Sequence, residues 1–137
     1  MDKKAYIVRG ARMRCSCGSH PRRINLPVSH GSFINDKPVM LETDCVPDFP
    51  PNPLNNIPYF GICSSPLNQT KIPLTLAHET TKLPIVGTKC AVTIAMPWTN
   101  CKKDLLLNKM ALTTDSVLYC VFGGVIKFET SGQEDED

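Results

Sequence analysis

Apolar residues along this chain fall in short blocks separated by proline, glycine and asparagine, the residues that punctuate β-rich folds. The block AYIV at 5–8 halts at Arg9-Gly10. Residues 117–128, VLYCVFGGVIKF, are rich in the β-formers Val, Ile, Tyr and Phe. Gly123-Gly124 splits them into two strands joined by a hairpin or bulge. In the second strand Ile126 and Phe128 alternate with Lys127 and Glu129, the period of a half-buried strand. Residues 24–41 contain INLPVS, SFIN and KPVML, with Pro38 limiting long pairing in the last. CAVTIAM at 90–96 is a continuous apolar run and predicts a buried strand.

Two stretches read as helix. LTLAHETTKL, 74–83, is bounded by Pro73 and Pro84, although its threonines are poor helix formers. CKKDLLLNKMAL, 101–112, offers a second helical turn. VPDFPPNPLNNIPYFG, 46–61, carries five prolines and three asparagines, which excludes helix. Phe49, Leu54, Ile57, Tyr59 and Phe60 within it predict an ordered loop rather than a linker. SGQEDED reads as a solvated acidic tail. No repeat of fixed period and no internal boundary is visible. The pattern therefore predicts one mostly β domain over 1–130, built of short strands and hairpins with at most one or two short helices. A disordered acidic tail follows over 131–137.

Composition narrows the function classes. The chain has 137 residues, 42% apolar and 20% charged, the make-up of an ordinary globular domain with a small core. A net charge of +2 gives no bulk argument for nucleic acid or a membrane surface. The opening MDKKAYIVRGARMR has no apolar core of a secretory signal, and no apolar run approaches the roughly 20 residues of a membrane span. Synthesis in a reducing cytoplasm is expected, where cysteines stay as thiols or bind metal. Seven is also an odd number of cysteines, so they cannot all pair within the chain.

The densest chemistry lies in RMRCSCGSHPRR, 12–23. Cys17 and His20 form one Cys-x-x-His corner, a spacing compatible with metal. Its plainer reading is an exposed turn set by Gly18, Ser19 and Pro21. Arg9, Arg12, Arg14, Arg22 and Arg23 make a basic patch that could face phosphate, an acidic protein partner or solvent. Without interleaved aromatics, nucleic acid ranks last of these. Cys45, Cys63, Cys90, Cys101 and Cys120 stand singly, as small core residues often do. Several lie beside turn glycines or prolines and could instead converge on one site. A nucleophile pair of Cys63 with His78 has no supporting spacing, and no P-loop, GxGxxG or HExxH is present, so no enzymatic activity is expected.

The serial order of motifs is more specific than any one of them. The chain reads RGARMRCSCG (9–18), NDKP (35–38), NIPYFGIC (56–63), Cys90, Pro97-Trp98 and LYCVFGGVIKFETSGQ (118–133). This series resembles the PAAR-like domain family, related to the spike-tip proteins of contractile injection and type VI-like secretion systems. The resemblance covers nearly the whole chain. It matches the family's cysteines to Cys15, Cys63, Cys90 and Cys120, and its turn glycines to Gly10, Gly18, Gly61, Gly123 and Gly124. Departures are the loss of both prolines around Cys90 (TKCAVT), a shortened Asp36-Lys37-Pro38, and Asn68-Gln69 where the family has Asn-Pro.

The resemblance implies a compact, cone-shaped PAAR-like domain that caps a trimeric β-helical spike protein (VgrG-like), sharpens it and helps deliver a secreted effector or toxin. It implies a structural metal, zinc by thiolate chemistry, at Cys15, Cys63, Cys90 and Cys120. Cys17, His20, Cys45 and Cys101 are the second choice of ligands. The five arginines are the expected partner-binding surface. The protein would be cytoplasmic during assembly and then exported with the spike, with no nucleic acid and no stable membrane anchor. Two alternatives stand beside this: a metal-stabilised adaptor or chaperone that binds a secreted toxin, and a cysteine-dependent enzyme.

Overall fold

The computed structural model describes residues 5–48, 52–68, 72–104 and 109–133. Every regular element among them is a strand: β1 (Arg12–Cys15), β2 (Arg22–Arg23), β3 (Phe33–Ile34), β4 (Lys37–Pro38), β5 (Pro73–Ala77), β6 (Pro84–Thr88), β7 (Lys102–Asp104), β8 (Lys109–Ala111), β9 (Val117–Tyr119) and β10 (Val125–Phe128). The protein is mostly β, as its residue pattern predicts. A four-stranded sheet in the order β2-β1-β10-β9 is flanked by three antiparallel two-stranded units, β3-β4, β5-β6 and β7-β8.

The central sheet follows from period-two alternation. Met13, Cys15, Leu118 and Ile126 are buried, while Arg12, Lys127 and Tyr119 are exposed. The register sets Cys15 against Ile126, and Ile126 in turn against Leu118. Gly123-Gly124 closes the β9–β10 hairpin where it was expected, with the Cys120 amide donating to Gly124 O at 2.9 Å. Beneath the sheet, Ile7, Ile24, Met40, Ile57, Phe60 and Leu112 complete the core. Trp98 stacks on Phe128 with ring centroids 4.8 Å apart and donates its indole N–H to Asp44 O at 3.0 Å. Elsewhere single bridges stand in for ladders, among them Tyr6 with Thr113, Val8 with Val39, and Thr99 with Val117. Prolines and turns leave few runs long enough for more.

The structure corrects both expected helices. Residues 74–83 belong to a hairpin: β5 pairs β6 with Leu74 opposite Gly87 and Leu76 opposite Ile85. Leu74, Thr75 and Leu76 alternate with period two, β-branched threonine favours extended chain, and Pro73 and Pro84 stand at strand starts, where a missing N–H is tolerated. His78 closes the turn, its Nδ1 accepting from the Thr80 and Thr81 amides at 3.2 and 3.3 Å. The segment 101–112 supplies β7 and β8, which pair Lys102 with Ala111, while residues 105–108 lie outside the described residues.

Residues 90–96 are not a full strand either. Cys90, Ala91 and Val92 are buried, but pairing is confined to one bridge between Ile94 and Cys120, and Met96 is 67% exposed. The tail is packed further than expected. Ser131 is buried and its carbonyl accepts from the Val8 amide at 3.0 Å, and the Gln133 side chain donates to Tyr6 O at 2.7 Å. Residues 134–137 of the expected tail lie outside the described residues.

Candidate functional site

Five cysteines from four distant parts of the chain meet at one end of the central sheet. Cys15 ends β1 on its buried face. The chain then turns: Gly18 N donates to Cys15 O at 3.0 Å, which keeps Cys17 beside Cys15. Gly18 forms a bridge with Cys63, fixed by Ser19 N to Ile62 O at 2.9 Å and Ser64 N to Cys17 O at 2.8 Å. Only a glycine fits at 18, because a Cβ would run into the Cβ and carbonyl of Phe60. Cys63 N donates to Thr88 O at 3.1 Å and Cys90 N to Gly61 O at 2.8 Å, which draws Cys63 and Cys90 together. The bridge from Ile94 to Cys120 delivers the last member from the end of β9.

Gly124 lies against this group. A Cβ there would stand 2.6 Å from Cys15 Sγ, 3.6 Å from Cys120 Cβ and 3.9 Å from Cys17 Cβ. The space a side chain would take is therefore occupied by cysteine atoms. Cys15, Cys90 and Cys120 are buried at 4%, 3% and 9% exposure, while Cys17 and Cys63 are half-buried at the rim.

Burial pushes the thiols of Cys15, Cys63 and Cys90 above the ordinary range, Cys90 up to about 12. Charge on neighbouring sulfurs adds to this. Cys15 is raised further by Cys17 and Cys120, Cys63 by Cys17 and Cys120, and Cys90 by Cys63, Cys15 and Cys120. Against burial, Cys63 is lowered by the Ser65 amide and by a hydrogen bond with the Cys90 thiol. These thiols are thus neutral at pH 7, crowded, and costly to ionise without a cation.

The family model of a domain of unknown function, DUF4280, matches residues 7–133. The chain belongs to that family. The match contains all five clustered cysteines and, at its end, the packed Ser131–Gln133 segment. No curated protein and no solved structure matches the chain.

The donor chemistry suits a thiophilic cation, since sulfur ligands in numbers of four or more are those of zinc and iron–sulfur sites. The sulfurs are neighbours rather than a finished coordination shell. Among the described residues no group of three or more His, Cys, Asp or Glu stands in metal-holding geometry. Tetrahedral zinc with Zn–S bonds of about 2.3 Å would need the thiols to turn inward, and a cysteine has a single χ angle by which to do so.

Other expected ligands lie elsewhere. His20 Nε2 is 2.8 Å from Ala77 O, which must accept, so Nδ1 accepts from Ser19 Oγ at 2.6 Å. Ser19 Oγ itself accepts from Ile62 N at 2.8 Å. His20 is thereby a strut between the loop at Ile62 and β5. Cys45 adjoins Asp44, whose carboxylate holds His30 Nε2 at 2.9 Å and the Leu41 amide at 2.6 Å. Cys101 is 3.7 Å from the Trp98 and Thr99 carbonyls and from Ser116 Oγ. Burial raises both thiols. Cys101 lines an open cavity of about 650 Å³ together with Asn100, Asp115, Ser116, Lys127 and Phe128. As for Cys63, its thiol is surrounded by cysteines and Ser65, while His78 caps its own turn.

The arginines are largely engaged within the chain. Arg14 binds Glu79 through two nitrogens at 2.9 and 3.2 Å and Glu129 at 3.0 Å, and Arg12 reaches Glu129 at 2.9 Å. The guanidinium holds both carboxyls below their usual range and is itself raised by them. Arg22 donates to Tyr59 O at 2.9 Å and lies over that ring, and Arg23 donates to Gly10 O at 2.7 Å. Arg9 is exposed. Among the described residues no helix is long and apolar enough to cross a membrane.

Proposed function

We propose that this domain is a structural cap for the end of a trimeric β-helical spike in a contractile injection or secretion system, stapled by a zinc ion at its cysteine cluster. The observation that carries the reading is the packing of two motif cysteines, Cys15 and Cys120, against motif Gly124 together with Cys17, with the other two, Cys63 and Cys90, held to the same end of the central sheet by the Gly18–Cys63 bridge and the Cys90 N to Gly61 O bond. The family match and the ordered motifs that resemble PAAR-like domains support it.

The physical logic runs from the strands to the staple. Among the described residues no strand exceeds five residues, and single bridges replace ladders in many places, so few ladder hydrogen bonds lock any one segment. A metal bound to thiolates from distant segments supplies the cross-links a small core lacks. A set closed by thiolates has no open position and suits structure rather than turnover. A trimeric β-prism, for its part, ends in unpaired strand edges that need covering.

The adaptor reading, in which the domain recruits a secreted toxin, draws on the arginine patch. Arg12 and Arg14 are committed to Glu129 and Glu79, so less of that patch faces a partner. The deciding experiment mixes the purified domain with a trimeric spike protein of such a system and weighs the product by native mass spectrometry. One domain per spike trimer is expected. No complex with the spike, together with a stable complex with a secreted toxin of the same system, would favour the adaptor.

A further inference from the structure

The strand β9 forms one edge of the central sheet, and the segment beside it pairs with that edge through the bridges Ile94–Cys120 and Thr99–Val117. Thr99 N donates to Val117 O at 2.9 Å, Val117 N to Thr99 O at 3.2 Å, and Val121 N to Thr93 O at 2.9 Å. Between the two bridges four residues, 95–98, face only two, 118 and 119, so the outer segment bulges. Trp98 turns in to stack on Phe128, while Met96 turns out and is 67% exposed. Tyr119 is left facing the bulge. Val125 stands opposite it and sends both its backbone groups to Ser16, its N–H to Ser16 Oγ at 2.9 Å and its carbonyl accepting from Ser16 N at 3.0 Å. The N–H and C=O of Tyr119 therefore point the other way, out of the sheet edge. Neither has a hydrogen-bond partner among the described residues.

The surroundings of this gap are apolar. Residues 95–97 form a ridge with a groove on each side. One groove, of about 220 Å³, passes Tyr119 and Val121, and the other, of about 390 Å³, passes Val46, Pro47 and Ile94. Met96, Tyr119, Val121 and Val46 are all exposed large apolar side chains. No charged side chain among the described residues lines either groove, in a chain that is 20% charged. Such a face selects its occupant. The open backbone donor and acceptor call for chain in extended form, which brings an N–H and a C=O of its own. The uncharged walls call for a segment without charge, since a charge buried there would go unpaired.

Resting on the reading of the domain as a spike cap, we infer that the Met96 ridge and the Tyr119 gap are its docking surface, and that the occupant is an uncharged strand end of the spike trimer. That strand end bridges to the Tyr119 backbone and seats apolar side chains in the two grooves. The partner surface thereby lies along β9 rather than at the arginines.

The test uses the full chain and a trimeric spike protein of such a system, read by binding titration and by amide hydrogen exchange. Met96→Glu and Val121→Glu, both at exposed positions, should weaken the complex at least about tenfold while leaving the melting temperature of the domain unchanged. Val86→Glu, at the still more exposed Val86 of β6, should bind as wild type does. The Tyr119 amide should exchange freely in the domain alone and be protected in the complex. Full-strength binding by Met96→Glu and Val121→Glu, or a Tyr119 amide that the spike leaves unprotected, would overturn the inference while sparing the cap reading. A wild-type domain that binds no spike would overturn both. A domain that dimerises on its own, and becomes monomeric in Met96→Glu, would overturn the inference in favour of a second copy as the occupant.

Discussion

Gly124 faces Cys15 so closely that a methyl group on it would lie 2.6 Å from the sulfur. Its neighbour Gly123 has nothing within 4 Å of such a methyl, but holds a φ of 96°. The two glycines of one hairpin are therefore required for different reasons, and substitution should separate them. Gly124→Ala forces atoms into an occupied site and should cost about 1–3 kcal/mol while displacing Cys15 and weakening zinc uptake. Gly123→Ala should cost about 1–2 kcal/mol through backbone strain and leave zinc uptake intact. Chemical denaturation and zinc titration of both variants check this.

The crowded thiols give the metal-free protein an alkaline liability. Cys90 has an ordinary value near 9.0 when unfolded and about 12 when folded. Folding thus favours its neutral form. That stabilisation is fully present below about pH 9 and is lost as pH climbs toward 12. Urea midpoints of the metal-free protein should fall from pH 8 to pH 10.5, and Cys90→Ser should flatten the decline. Zinc uptake near pH 7 should release protons, since neutral thiols become thiolates.

On the acid side the liability comes from Glu129 and Glu79, both held below the usual carboxylate range by Arg14. Folding favours their charged forms, so this contribution is present above about pH 4.3 and is lost as pH falls through the depressed folded values. Arg14 is 39% exposed on its side chain, so water and salt weaken the pairs. Glu129→Gln should cost about 0.5–1 kcal/mol at neutral pH, less at high salt. Differential scanning calorimetry from pH 6 to pH 3 would show the shallower acid slope of the variant.

His20 offers a contrast between strut and ligand. Its two ring nitrogens are committed to Ser19 Oγ and Ala77 O. His20→Ala should cost about 1 kcal/mol, the worth of a typical hydrogen bond, and leave zinc content unchanged. Loss of zinc in that variant would place His20 among the ligands after all.

What the sequence revealed tracks the range of the interactions involved. The β9–β10 hairpin was legible because Gly123-Gly124 and the alternation around Ile126 and Phe128 are local signals. The β5–β6 hairpin was misread because Pro73 and Pro84 bracket a segment equally well as helix limits or as strand starts, and only the Leu76–Ile85 pairing decides. The cysteine cluster was open to suspicion but not to deduction. It is assembled by the Gly18–Cys63 and Ile94–Cys120 bridges, contacts that leave no periodic trace in the sequence. Cys17 was ranked behind the motif cysteines for the same reason, although it lies among them. The arginines looked free because Glu79 and Glu129 are far away in sequence, and the β1–β10 register brings Glu129 beside Arg12 and Arg14.

The most direct test of the metal staple is the zinc content of the wild-type protein by elemental mass spectrometry, followed by its thermal unfolding with and without a strong chelator. About one zinc per chain is predicted, with a melting temperature that drops on chelation because binding free energy is folding free energy. A metal-free protein whose melting temperature ignores both zinc and chelator would contradict it, and would make the five cysteines packing residues only.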